Sequence, residues 1–157
     1  MKAASLSEIK KELSYLELKR VQELCMRLAK YKKENKELLT YLLFESHDES
    51  AYISGVKSEI EAHFNTLPKG NVYFIKKSLR KILRIANRQI KYSEVKQTEV
   101  ELRIYFCSKI KESGIPMHTS QALSNLYQQQ LKKIETALAK LPEDLQYDYQ
   151  GEIEQLK

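Results

Sequence analysis

The chain has 157 residues, a formal charge of +6 and 31% charged residues, enough length to bury a core in one domain over residues 1–157 without a disulfide or metal staple. Only four Gly and three Pro occur, which excludes a turn-rich β architecture, and the helix formers Leu, Lys, Glu, Gln, Ile and Ala dominate. Two cysteines without a CxxC pair or a Cys/His cluster give no zinc or redox motif.

The N-terminus carries no apolar leader, and the apolar run Leu38–Phe44 is too short to span a bilayer. The expectation is a cytoplasmic protein that does not insert into membranes.

In chain order, Ser5-Leu6-Ser7-Glu8 and Ser14-Tyr15-Leu16-Glu17 both fit a capping box. They predict a short helix from Leu6 to Leu13 and a second one reaching Tyr31, with Leu18, Val21, Leu24, Cys25 and Leu28 on one face. Lys32 to Lys36 reads as a polar break. Leu38 to Phe44 is apolar on several sides and predicts a short helix buried at the centre. Ser46-His47-Asp48-Glu49 offers a third capping box, opening a helix to Thr66 with the stripe Ile53, Val56, Ile60, Phe64 and Leu67. Pro68-Lys69-Gly70-Asn71 is a turn, and a basic helix follows from Val72 to Tyr92.

Thr98-Glu99-Val100-Glu101 predicts the start of a helix running to Ser113, where Gly114 supplies a left-handed cap and Pro116 forbids continuation. Its segment Leu102–Cys107 alternates like a strand, but no second β-like segment exists to pair with it, so helix is preferred. Thr119 or Ser120 caps the next helix, with Leu123, Leu126, Leu131, Ile134, Leu138 and Leu141 along its apolar face. Pro142 then opens a short acidic helix weakened near its end by Gly151. The fold class is therefore all-α, an irregular array or bundle of seven to eight helices, antiparallel to their neighbours and without a sheet.

Charge is concentrated. Residues 69–96 carry nine basic groups against Glu94 alone, whereas residues 1–68 carry eleven of each sign. At 100° per residue, Ile75, Leu79, Ile82, Ala86 and Ile90 fall within about 80° of arc. Lys77, Arg80, Lys81, Arg84, Arg88 and Lys91 occupy a similar arc on the opposite side, a ridge about 21 Å long. Such a ridge suits the phosphates of a nucleic acid. It also suits solvent, or neutralisation by the acidic stretch Glu143, Asp144, Asp148, Glu152 and Glu154. Tyr73 and Tyr92 flank it as candidate stacking platforms.

No catalytic or phosphate-cradling motif occurs. His47, His63 and His118 are scattered, Glu59 and His63 share a helical face as a surface pair, and Cys25 and Cys107 read as core thiols. No cofactor is expected. The reading is a non-enzymatic helical binding or scaffold protein acting on another protein or a polyanion. The alternative is sequence-independent binding of a nucleic-acid backbone through the basic face of residues 72–92.

The pattern Leu6-x-x-Ile9-x-x-x-Leu13, then Leu16-x-Leu18-x-x-Val21-x-x-Leu24-x-x-x-Leu28 and Lys32-Lys33-x-Asn35-x-x-Leu38, resembles small all-helical bacterial proteins of unassigned activity. The resemblance covers the first third of the chain. It implies a helical fold and carries over no site residues.

Overall fold

Helix α6 (Lys96–Glu112) is the element around which the larger part of the chain is assembled. It buries Val100, Leu102, Ile104, Phe106, Cys107 and Ile110, so buried positions cover most of its circumference rather than one stripe, leaving the face of Gln97, Glu101, Tyr105 and Ser108 partly exposed. A helix with neighbours on several sides loses a single apolar stripe, which is why Leu102–Cys107 imitates a strand in sequence. The computed structural model describes all 157 residues, with eight α-helices and no strand.

The chain divides into two units, Met1–Phe44 and Glu45–Lys157, where composition leads one to expect a single domain. In the second unit α6 packs against α4 (Glu49–Asn65), α5 (Val72–Ser93), α7 (Gln121–Leu138) and α8 (Glu143–Leu156), and α4 also packs against α5. Ile53, Val56, Ile60 and Phe64 of α4 are buried as their spacing predicts, and Phe64 meets Phe106 edge-on with ring centroids 5.8 Å apart. Leu123, Leu126, Leu131 and Ile134 do the same for α7. Each such side chain contributes roughly 1.5–3 kcal/mol when fully buried.

The first unit contains α1 (Leu6–Ser14), α2 (Leu18–Tyr31) and α3 (Lys33–Thr40), with α2 packed on α3. None of these helices contains a buried residue. Two expectations fail here. Leu42, Leu43 and Phe44 are exposed and only Tyr41 of the 38–44 run is buried, and Cys25 is exposed rather than packed in a core. Apolar patterning states which face a helix would bury. It does not supply the neighbour that buries it.

Several helix ends also move. Ser5 and Glu8 form the capping box at α1, with Ser5 N–H donating to Glu8 Oε2 at 2.7 Å and Glu8 N–H donating to Ser5 Oγ at 3.3 Å. Ser14 does not cap α2: its hydroxyl donates back to the Lys11 carbonyl at 2.6 Å, so α1 runs through it and Glu17 is the cap residue. The polar break narrows to Lys32 alone, and Asn35 Nδ2 donates to the Leu28 carbonyl that the end of α2 leaves free. Asp48, not Ser46, caps α4 by accepting from Ala51 N–H at 3.0 Å. Thr98 is no cap either; α6 begins at Lys96, and the fully buried Thr98 hydroxyl donates to Glu49.

The end of α6 follows expectation, with Gly114 at φ +63°. Helix α8 continues past Gly151 to Leu156, anchored by buried Ile153 and Leu156.

Candidate functional site: the basic face of α5

Asn71 caps α5 by accepting from Tyr73 N–H at 2.9 Å, and the helix then runs 22 residues to a left-handed Glu94 at φ 57°. Ile75, Leu79, Ile82, Ala86 and Ile90 are buried, as their spacing predicts, and Ile85 and Tyr92 join them. The buried arc is thus wider than the stripe suggests. Tyr92 is 8% exposed and offers no stacking surface, whereas Tyr73 is 61% exposed.

Lys77, Arg80, Lys81, Arg84 and Lys91 are all exposed. Arg88, the sixth residue of the expected ridge, is half-buried with its Nε shielded from solvent. None of the five exposed cations enters an ion pair. Elsewhere in this unit some cations are matched, Lys57 meeting Glu101 at 2.9 Å and Lys109 meeting Glu61 at 2.9 Å and Glu112 at 3.0 Å, while Lys132, Lys133 and Lys140 are exposed and unpaired but do not form a continuous row. Hydrogen bonds from Lys109 hold the Glu61 carboxyl below its ordinary pKa.

The acidic helix does not neutralise the ridge. Helix α8 packs on α6, and Glu143, Asp144, Asp148, Glu152 and Glu154 are exposed and in no ion pair. The five exposed cations Lys77, Arg80, Lys81, Arg84 and Lys91 therefore keep their charge directed at solvent. Like charges at i, i+4 cost a few tenths of a kcal/mol per pair, a cost the buried side of α5 offsets.

A shallow groove of about 510 Å³ runs along this face, lined by Tyr73, Lys76, Lys77, Arg80, Leu83, Arg84 and Asn87. Tyr73 lies about five full turns from Lys91 and so points the same way, between the directions of Arg80 and Arg84. Its ring stands edge-on to Phe74, with centroids 5.4 Å apart. Sequence patterning marks the cations but not Leu83 or Asn87, whose place in the groove depends on what α5 packs against. No family model, curated protein or solved structure matches the chain.

Asn87 is held from beneath. Arg103 on α6 is 6% exposed, and its Nη1 donates to Asn87 Oδ1 at 2.9 Å and to Gln130 Oε1 at 2.8 Å. Its Nε and Nη2 both donate to Glu99 Oε1, at 3.1 and 2.9 Å. This interaction occupies the Asn87 carbonyl oxygen and leaves the amide N–H pair as the group available to the groove.

The other sequence candidates do not converge. His47 and His118 are exposed and His63 is half-buried, and no three His, Cys, Asp or Glu side chains are placed to hold a metal ion. Burial pushes the Cys107 thiol up to about 12, against smaller opposing effects of Arg103 and Lys111. No helix is long and apolar enough to cross a membrane.

The unit Met1–Phe44 has a surface of its own. Met26, Ala29, Leu39, Leu43 and Phe44 line a groove of about 650 Å³ edged by Lys30, Lys32, Lys33 and Lys36. Residues 1–44 carry ten basic groups against six acidic, and residues 45–68 one against five. The balance over 1–68 conceals this split.

Proposed function

We propose that the protein is a non-enzymatic helical binding module whose α5 ridge holds the phosphate backbone of a nucleic acid without reading its sequence. The observation that carries this is the row Lys77, Arg80, Lys81, Arg84 and Lys91, exposed and free of ion pairs although carboxylates are plentiful in the same unit. A row of unneutralised cations along one helix face gains from counterion release when phosphates replace salt ions. Four or five neutralised phosphates give a slope of about −4 for log affinity against log salt on duplex DNA. Titration of the full chain with labelled DNA and RNA from about 50 mM salt upward tests this. Binding that Arg80→Glu with Arg84→Glu abolishes in a folded protein is expected. Undetectable binding at the lowest salt refutes the reading.

The groove of Met1–Phe44 favours a second reading, a protein partner, because Leu43 and Phe44 are 62% and 65% exposed. A defined co-purifying protein lost with Leu43→Glu and Phe44→Glu, but kept with the α5 reversals, is the expected result. A partner indifferent to Leu43 and Phe44 refutes it.

A further inference from the structure

The exposed face of α5 is not uniformly cationic. Lys77, Arg80, Arg84 and Lys91 form one lane along the helix. Beside it Leu83 and Asn87, four residues apart and so on one line, form a second lane that lines the same groove. At the N-terminal end Tyr73 stands between the directions of Arg80 and Arg84, 61% exposed and braced by Phe74. One lane is suited to phosphates. The other carries an apolar side chain and an amide donor pair with Lys76 pointing between them, and Tyr73 adds an aromatic face at the end of the cationic lane.

A duplex shows such a surface phosphates, sugars and base edges in its grooves, but its base faces are stacked inside and offer Tyr73 nothing to stack on. A single strand exposes its bases beside the backbone, where aromatic side chains stack on them in a sequence-tolerant way. Asn87 adds hydrogen bonding: with its carbonyl oxygen taken by Arg103, it meets a ligand as a donor. Base carbonyl oxygens and unprotonated ring nitrogens are acceptors that match it.

We infer that this face takes single-stranded nucleic acid in preference to duplex, with phosphates over Lys77, Arg80 and Arg84, one base stacked on Tyr73, and another laid over Leu83 within reach of the Asn87 amide. The inference rests on the backbone-binding reading above and specifies its ligand. Tyr73 contributes a surface that phosphate contact alone does not need. Arg103 acts as a positioning residue, since it is buried beneath the face and its guanidinium hydrogen-bonds Asn87, Gln130 and Glu99.

The test measures anisotropy of labelled oligo-dT, oligo-rU and a mixed-sequence duplex of matched length, at fixed low salt, against the full chain. Wild type is expected to bind both single strands more tightly than duplex. Tyr73→Ala is expected to weaken single-strand binding about 5- to 100-fold while leaving duplex binding within about twofold, and Tyr73→Phe to retain wild-type affinity. The side chain of Tyr73 is mostly outside the core, so its truncation leaves no cavity.

Asn87→Asp keeps an acceptor for Arg103 but removes the amide donor, and is expected to lower the single-strand to duplex ratio. Equal affinity for the two forms, or an equal loss in both on Tyr73→Ala, overturns the single-strand preference and leaves backbone binding standing. No binding of any of the three probes, or binding indifferent to Arg80→Glu with Arg84→Glu, overturns backbone binding itself.

Discussion

Replacing Arg103 by Met keeps most of the side-chain stem while removing the guanidinium that joins α5, α6 and α7 of the larger unit. Four hydrogen bonds are lost, to Glu99, Asn87 and Gln130. Gln130 is 1% exposed, so its oxygen is left in the core with no donor in reach. Glu99 keeps Lys96 at 3.0 Å toward solvent and so is not wholly stranded. Breaking a buried charge pair on one side costs about 3–5 kcal/mol. The surviving Lys96 contact places this case near the lower end, about 3 kcal/mol.

In a unit of this size that corresponds to a fall in Tm of about 10 °C. Urea unfolding followed by far-UV circular dichroism measures it, as a lower midpoint at unchanged m. Pairing Arg103→Met with Glu99→Gln should recover part of the loss, since the second change removes the charge that the first left behind. A loss below about 1 kcal/mol at unchanged m would refute the view that this buried network ties the three helices together.

The remaining predictions concern titration and thiols. Burial alone would raise the Glu99 pKa, but hydrogen bonds from Lys96 and Arg103 and their charges outweigh it, and the carboxyl ends below its ordinary 4.5. Its folded pKa being depressed, its stabilisation is complete above that ordinary value and is lost as pH falls through the folded one. Urea midpoints recorded from about pH 6 down to pH 2 should therefore decline less steeply in Glu99→Gln, and an unchanged profile would count against the pairing. A soluble aromatic disulfide reagent should modify Cys25 quickly in the native protein and reach Cys107 only on unfolding, because Cys25 is exposed while Cys107 is buried with its thiol pushed up to about 12. Two equally fast thiols would refute that assignment.

The helices of this protein were legible from local chemistry. Capping at Ser5, the turn at Pro68–Asn71, the glycine stop at Gly114 and the 3.6-residue periodicity of α4, α5 and α7 all act within a few residues of chain. Misplaced boundaries arose where one side chain had two uses. Ser14 bonds backward to Lys11 instead of forward, and Thr98, well suited to a cap, was drawn into the core to bond Glu49. The cationic lane of the site was equally readable, since like charges at helical spacing need no partner to be recognised. The second lane was not: Leu83 and Asn87 look unremarkable until α6 brings Arg103 beneath them.

Sequence by itself therefore determined the all-helical class, most of the segmentation, and the separation of charge from apolar surface along α5. These follow from backbone hydrogen bonding and side-chain periodicity, which are local. Tertiary structure alone decided which apolar faces find neighbours. It buried most of the circumference of α6, left Leu42, Leu43 and Phe44 exposed, and packed α8 on α6 with its carboxylates exposed and not ion-paired to the ridge. Burial and ion pairing depend on which surfaces meet across long stretches of chain, and no local pattern encodes that meeting.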